Sequence, residues 1–180
     1  MQSEVFISES EIATRICSLA KEISEYYSQK NITKLVIIGV LKGAYIFTAD
    51  LVRAIKNIQL QIEFVRISSY GDSTQSSGVI ATPDLALPAN IYGQHILLVE
   101  DIVDTGRTAS FLVEYITQQF KPESLTLVSF LDKPSRRVVE IEPNFCGFVI
   151  EDKFVIGYGL DYAERYRELA HLAVLSGVSE

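Results

Sequence analysis

The chain has 180 residues, 48% of them apolar and 22% charged, with a formal net charge of −7. A single domain of that length buries roughly 70% of its unfolded surface and needs no disulfide staples. The acidic balance argues against a nonspecific nucleic-acid or anionic-lipid surface, yet not against an anionic metabolite, because a local site or a Mg²⁺ ion can oppose the global charge. Two histidines, His95 and His171, are too few for a histidine-rich metal site. The two cysteines, Cys17 and Cys146, stand in unrelated contexts and read as buried free thiols. No leader with a basic stretch and an apolar stretch is seen, and no apolar run approaches the ~18 residues of a membrane span. The expected compartment is the cytoplasm.

In chain order, Ser8 followed by Glu11 fits a capping box, and Ile12, Ile16, Leu19, Ile23 and Tyr27 recur at helical spacing. Leu35 to Val40 is a continuous apolar run of strand length, suited to a strand covered on both faces. Leu41-Lys42-Gly43 breaks it, and a helical period resumes from Ala44 to Lys56. Leu60, Ile62, Phe64, Val65 and Ile67 predict another strand. The next stretch, residues 68–78, holds five serines, two glycines and a threonine around Tyr70. It is too polar for a core and reads either as a connector or as a lid in which Ser69 and Tyr70 close over a substrate.

Ile96 to Val99 has the length and branching of a buried strand, which the adjacent carboxylates Glu100 and Asp101 are expected to end. The turn Asp104-Thr105-Gly106-Arg107-Thr108 leads into a helix from about Thr108 to Phe120, stopped by Lys121-Pro122, and Leu125–Leu131 is the following strand. Alternating strands and helices imply βαβ units and a parallel sheet, whose ligands sit beyond the carboxyl ends of the strands. Lys42 and Gly43, Glu100 and Asp101, and Asp132 and Lys133 all fall at such ends. Carboxylates accept from sugar hydroxyls. The unpaired N–H groups of a helix start, its dipole and the threonine hydroxyls favour phosphate. The combination suits a ribose 5-phosphate. Asp-Thr-Gly also occurs in aspartic proteases, but here it occurs once and carries the bulky Arg107.

The run Val99-Glu-Asp-Ile-Val-Asp-Thr-Gly106 resembles the phosphoribosyl pyrophosphate (PRPP) signature of type I phosphoribosyltransferases. Together with Gly39-Val-Leu-Lys-Gly43, Ser68-Ser-Tyr-Gly71, Leu131-Asp-Lys133 and Asp152-Lys-Phe-Val-Ile-Gly-Tyr-Gly-Leu-Asp-Tyr162, it is similar to hypoxanthine-guanine phosphoribosyltransferases of the bacterial type. The resemblance implies one α/β domain over residues 1–180 with the type I fold: a mostly parallel sheet flanked by helices. A small hood over the base site would come from the N-terminal segment and about 134–180. It implies transfer of 5-phosphoribosyl from PRPP to N9 of hypoxanthine or guanine, giving IMP or GMP and pyrophosphate with Mg²⁺, in a homodimer or homotetramer. Catalytic roles fall to Asp104 (general base near purine N7), Lys133, Ser69 and Tyr70. PRPP would be held by Glu100, Asp101, Asp104, Thr105, Gly106, Arg107 (backbone only), Thr108, Leu41, Lys42, Gly43, Arg137 and Arg167, with a cis peptide before Lys42. The base would meet Lys133 at its 6-oxygen, Phe154 on its face, Val155 at its edge and Asp161; Asp161, Glu100 and Asp101 would hold the metal. A xanthine-preferring transferase and an RNA-binding pyrimidine regulator on the same fold are the alternatives, the latter needing a basic face that this chain does not offer.

Overall fold

In the computed structural model, which describes residues 2–67 and 86–176, Ser8 closes the expected capping box. Its hydroxyl accepts from the Glu11 N–H, and the Glu11 carboxylate accepts from the Ser8 N–H. These contacts satisfy donors that the first turn of helix α1 (Glu9–Gln29) leaves unpaired. The other long elements are β1 (Gln2–Ile7), β2 (Lys34–Leu41), α2 (Tyr45–Ala54), β3 (Gln59–Arg66), β4 (His95–Val103), α3 (Arg107–Phe120), β5 (Ser124–Asp132), β6 (Phe145–Val149), β7 (Val155–Ile156) and β8 (Leu172–Ser176).

Five strands pair in the order β3-β2-β4-β5-β6, all parallel. The continuous apolar runs of β2 and β4 follow from their burial on both sides. Leu35, Ile37, Leu97 and Val99 point to one face, where Ile16, Ile23 and Tyr27 of α1 and Phe47 and Leu51 of α2 cover them. Val36, Ile38, Ile96 and Leu98 point to the other, against Ala109, Leu112 and Ile116 of α3. Residues adjacent in sequence therefore anchor opposite layers. The chain order reverses between β2 and β4, so the loops leaving these two strands diverge and open a crevice at their carboxyl ends.

Three expectations change here. Glu100 and Asp101 do not end β4: the ladder runs on, with Ile102 opposite Leu131 and Val103 opposite Asp132. A second sheet, β1-β8-β7, is antiparallel and joins both ends of the described chain, with Gln2 opposite Ser176 and Val155 opposite Val174. Of the 134–180 span expected to form a hood, β6 instead belongs to the main sheet as its edge strand. Arg15 of α1 caps that edge, donating to the carbonyls of Gly147 at 2.8 Å and Cys146 at 2.6 Å. Both thiols are free as expected, but Cys17 is exposed and Cys146 half-buried rather than buried.

Candidate active site

A cavity of about 340 Å³ lies at the carboxyl ends of β2 and β4, within the range of small-ligand sites. One wall is Leu41-Lys42-Gly43, the floor is Glu100 and Asp101, and the opposite wall is the loop from Asp104 through Gly106 with Thr108. Asp161 and Arg167 close the rim. A second depression of about 390 Å³ adjoins it, sharing Leu41, Lys42, Asp161 and Arg167 and adding Arg66 and Glu164. Ile67 of the β3 end lines both. Sequence reasoning passed over Arg66 and Ile67, although the rule that ligands meet the carboxyl ends of strands applies to β3 as well.

The floor is acidic and poorly compensated. Glu100 is 3% exposed, and its Oε1 is buried with no hydrogen-bond partner. Burial, reinforced by the neighbouring Asp101 charge, pushes its carboxyl well above the usual range. Burial also pushes Asp101 up to about 6, against the opposing pull of a hydrogen bond from the Ile102 N–H at 2.8 Å. Two carboxylates held this way suit a ligand that brings hydroxyl donors or a cation. The wall beside them is fitted closely. A Cβ on Gly43 would stand 1.5 Å from Asp101 Oδ2, and one on Gly159 2.1 Å from the Gly43 carbonyl oxygen. The Leu41–Lys42 peptide is cis, as the resemblance implies.

The loop after β4 is held from behind. Arg137 Nη1 donates to the carbonyls of Val103 at 2.9 Å and Asp104 at 2.6 Å, while its Nη2 pairs with Asp132. The N–H groups of Val138 and Val139 both donate to the Thr105 carbonyl, at 3.0 and 3.2 Å. The loop's carbonyls are thus consumed on the side away from the cavity. Gly106 turns the chain with a left-handed φ of 85°, and α3 begins at Arg107. Its first N–H groups have no acceptor within the helix, and a helix start of this kind favours an anion. Arg137 was expected to touch pyrophosphate. Its guanidinium is spent on the loop backbone and Asp132, so it is a clamp and does not line the cavity. Arg107 is exposed and absent from the lining, consistent with a backbone role alone.

At the rim, Arg167 Nη2 is 2.8 Å from Asp161 Oδ1, and Nη1 donates to the Gly159 carbonyl at 2.9 Å. Lys42 Nζ donates to Glu164 Oε2 at 2.7 Å. Glu164 lies on a short stretch of left-handed backbone that no local pattern announced.

The residues expected to meet a base gather on the Asp104 side. Lys133 is 5% exposed, directly after β5, with Nζ 3.6 Å from Asp152 Oδ1. Arg136 Nε lies 3.0 Å from Asp104 Oδ1, and that oxygen, though buried, has no hydrogen-bond partner. Phe154 is half-buried, edge-on to Tyr162 with ring centroids 5.7 Å apart, and its carbonyl accepts from Leu175. Val155 is buried in β7. Ser69 and Tyr70 lie outside the described residues. Among the described residues, no cluster of three or more histidine, cysteine or acidic side chains is arranged to hold a metal unaided, so Glu100, Asp101 and Asp161 are not a preformed cage.

The phosphoribosyl transferase domain model matches residues 7–163, which contain every loop of this cavity except Glu164 and Arg167. The chain belongs to the phosphoribosyltransferase family. Among curated relatives, the hypoxanthine phosphoribosyltransferase of Haemophilus influenzae is 44% identical over 170 residues, covering 94% of this chain and 93% of the relative. The hypoxanthine-guanine phosphoribosyltransferase of Bacillus subtilis is 45% identical, covering 96% and 92%. Among solved structures, a hypoxanthine phosphoribosyltransferase of Trypanosoma cruzi superposes with a TM-score of 0.87 at 42% identity, over 96% of this chain and 90% of that one. The five-stranded phosphoribosyltransferase sheet and its flanking helices are thus the type I fold that the motifs implied. No helix among the described residues is long and apolar enough to cross a membrane.

Proposed function

We propose that this phosphoribosyltransferase works in purine salvage, moving 5-phosphoribosyl from PRPP to N9 of hypoxanthine or guanine and releasing pyrophosphate with IMP or GMP. The observation that carries the reading is polarity within one cavity. A carboxylate pair, buried Glu100 with half-buried Asp101, would face sugar hydroxyls, a helix start a phosphate, and Lys42 and Arg167 on the far rim a leaving anion. The anomeric carbon passes through an oxocarbenium-like state, so the enzyme must orient the base, hold the departing anion and take a proton from the purine.

Glu100 and Asp101 accept from the ribose hydroxyls, and residues 104–108 hold the 5-phosphate. Leu41 to Gly43 and Arg167 receive pyrophosphate. Asp104, whose Oδ1 has unspent acceptor capacity, takes the proton near purine N7. Lys133 donates to the 6-oxygen, Phe154 stacks on the ring, and Val155 offers backbone groups to the base edge. The sheet β1-β8-β7, which carries Val155, would support that edge. The orphaned Glu100 oxygen and the elevated Asp101 carboxyl fit a Mg²⁺ ion that Glu100, Asp101 and Asp161 would hold together with ligand oxygens. Such an ion supplies charge neutralisation for the pyrophosphate.

The test is a spectrophotometric panel of hypoxanthine, guanine, xanthine and adenine with PRPP and Mg²⁺. Turnover of hypoxanthine and guanine with little of adenine is the expected result. Preference for xanthine would move the assignment to a sibling transferase, and no turnover of any base would sink it.

A further inference from the structure

Arg136 has no role in the reaction as described, yet it stands between two of the carboxylates around the base. Its Nη1 donates to both oxygens of Asp152, at 3.3 and 3.2 Å, while its Nε is 3.0 Å from Asp104 Oδ1. Asp152 in turn lies 3.6 Å from Lys133 Nζ. That is an ion pair but not a hydrogen bond, because a charge-assisted N–H···O contact closes to about 2.7–2.9 Å. The Lys133 side chain is 7% exposed and that of Asp152 is 46% exposed. A nearly buried ammonium next to a carboxylate has every electrostatic reason to collapse onto it. Arg136 competes with this by engaging both oxygens of Asp152.

We infer that Arg136 is a positioning residue for base recognition. It holds Asp152 close enough to neutralise Lys133 and far enough to leave the ammonium's donors for the purine 6-oxygen. The inference rests on the reading of Lys133 given above. A planar guanidinium can reach Asp152 and Asp104 together. A lysine ammonium, a point donor on a flexible stem, reaches one of them at a time.

The test compares Arg136→Gln, Arg136→Lys, Asp152→Asn and the Arg136→Gln/Asp152→Asn double variant, with PRPP and hypoxanthine or adenine varied separately. In Arg136→Gln, Asp152 captures Lys133, so KM for hypoxanthine should rise about tenfold. The hypoxanthine-to-adenine ratio of kcat/KM should narrow, and KM for PRPP should stay within about twofold. Arg136→Lys should recover only part of the loss. The decisive arm is the double variant: with the captor removed, Arg136→Gln should add less than about twofold to Asp152→Asn. Unchanged base kinetics in Arg136→Gln, multiplicative effects in the double variant, or equal rises in both KM values would each overturn the role of Arg136. Lys133→Ala separates the two layers of argument. If it leaves the hypoxanthine-to-adenine ratio untouched, the Lys133 reading has failed; if it collapses the ratio while Arg136→Gln does not, only the inference about Arg136 has failed.

Discussion

At the floor of the cavity, Glu100 and Asp101 stand together with a buried unpaired oxygen and elevated carboxyls, while on the base side Lys133, Asp152, Arg136 and Asp104 alternate in sign and neutralise one another. The two ends of one site have been left in opposite electrostatic states. The proposed sugar end is unsatisfied in the protein alone, as a site awaiting a ligand with hydroxyls and a cation would be. The base end is balanced in charge beforehand, with Asp104 Oδ1 and the Lys133 ammonium keeping hydrogen-bonding capacity, as the proposed neutral, flat base would require. On the proposed function, charge is left uncompensated at the floor, where the substrate itself would supply the compensation, because an unpaired buried charge is costly in the free protein.

The largest effect is expected where the two ends meet. Asp104→Asn keeps the shape of the loop but removes the proton acceptor, so kcat should fall about 10²- to 10⁴-fold with KM for PRPP little changed. Single-turnover kinetics with hypoxanthine check this. A fall of less than about threefold would mean that Asp104 belongs to the sugar end alone. Next comes the base end. Lys133→Ala should reduce kcat/KM for hypoxanthine and guanine by about 10- to 100-fold while barely changing the low rate with adenine, since an ammonium pairs with a 6-carbonyl and opposes a 6-amino group.

A smaller effect tests whether the sugar end depends on a scaffold behind it. Arg137→Ala leaves the Asp104 carbonyl without the donor it has now, and should raise KM for PRPP about tenfold and cost roughly 1–3 kcal/mol of stability. Calorimetry and steady-state kinetics on the same preparation would show both. If Arg137 touched pyrophosphate instead, activity would fall with stability intact.

The smallest effect concerns pH. Asp101 binds its proton near pH 6 in the folded chain, against the ordinary 3.8. Between those values the folded state carries more protons than the unfolded one. This group's contribution to stability therefore falls as pH rises through that window, and its full penalty is in place above about pH 6. In ligand-free protein, Asp101→Asn should gain on the wild type across the same window and then level off, by roughly 1–3 kcal/mol. Urea melts at pH 4.5, 6 and 7.5 would reveal this, and a gain independent of pH would contradict the picture of uncompensated charge at the floor.

Much of this was legible in the residues. The buried strands could be read because Leu35 to Val40 and Ile96 to Val99 are apolar without alternation, which two covering layers require. The turn after β4 could be read because Gly106 and the threonines sit where a strand hands over to a helix. What could not be read depended on partners distant in sequence. Glu100 and Asp101 looked like a strand end because acids usually stop burial, yet Leu131 and Asp132 extend the ladder past them. β1 and β8 have no local signature that announces a pairing of Gln2 with Ser176. Arg137 was placed near the site but aimed wrongly, since a motif gives the position of a guanidinium and not which carbonyls it reaches. Arg136 went unassigned for the same reason.

The pairing of β1 with β8 has a mechanical consequence. Gln2 and Ser176 face each other at one edge of the antiparallel pair, with Ile7 and Leu172 at the other. A force pulling the two ends apart therefore acts across the strands, on one rung at a time, and opens them like a zip instead of shearing every rung at once. As β8 leaves, it also takes with it the hydrogen bond from Leu175 to the Phe154 carbonyl and the partner of Val155. Held in an optical trap by these ends, the molecule should lose the proposed base-edge support at low force, while the five-stranded sheet and the loop after β4 remain folded.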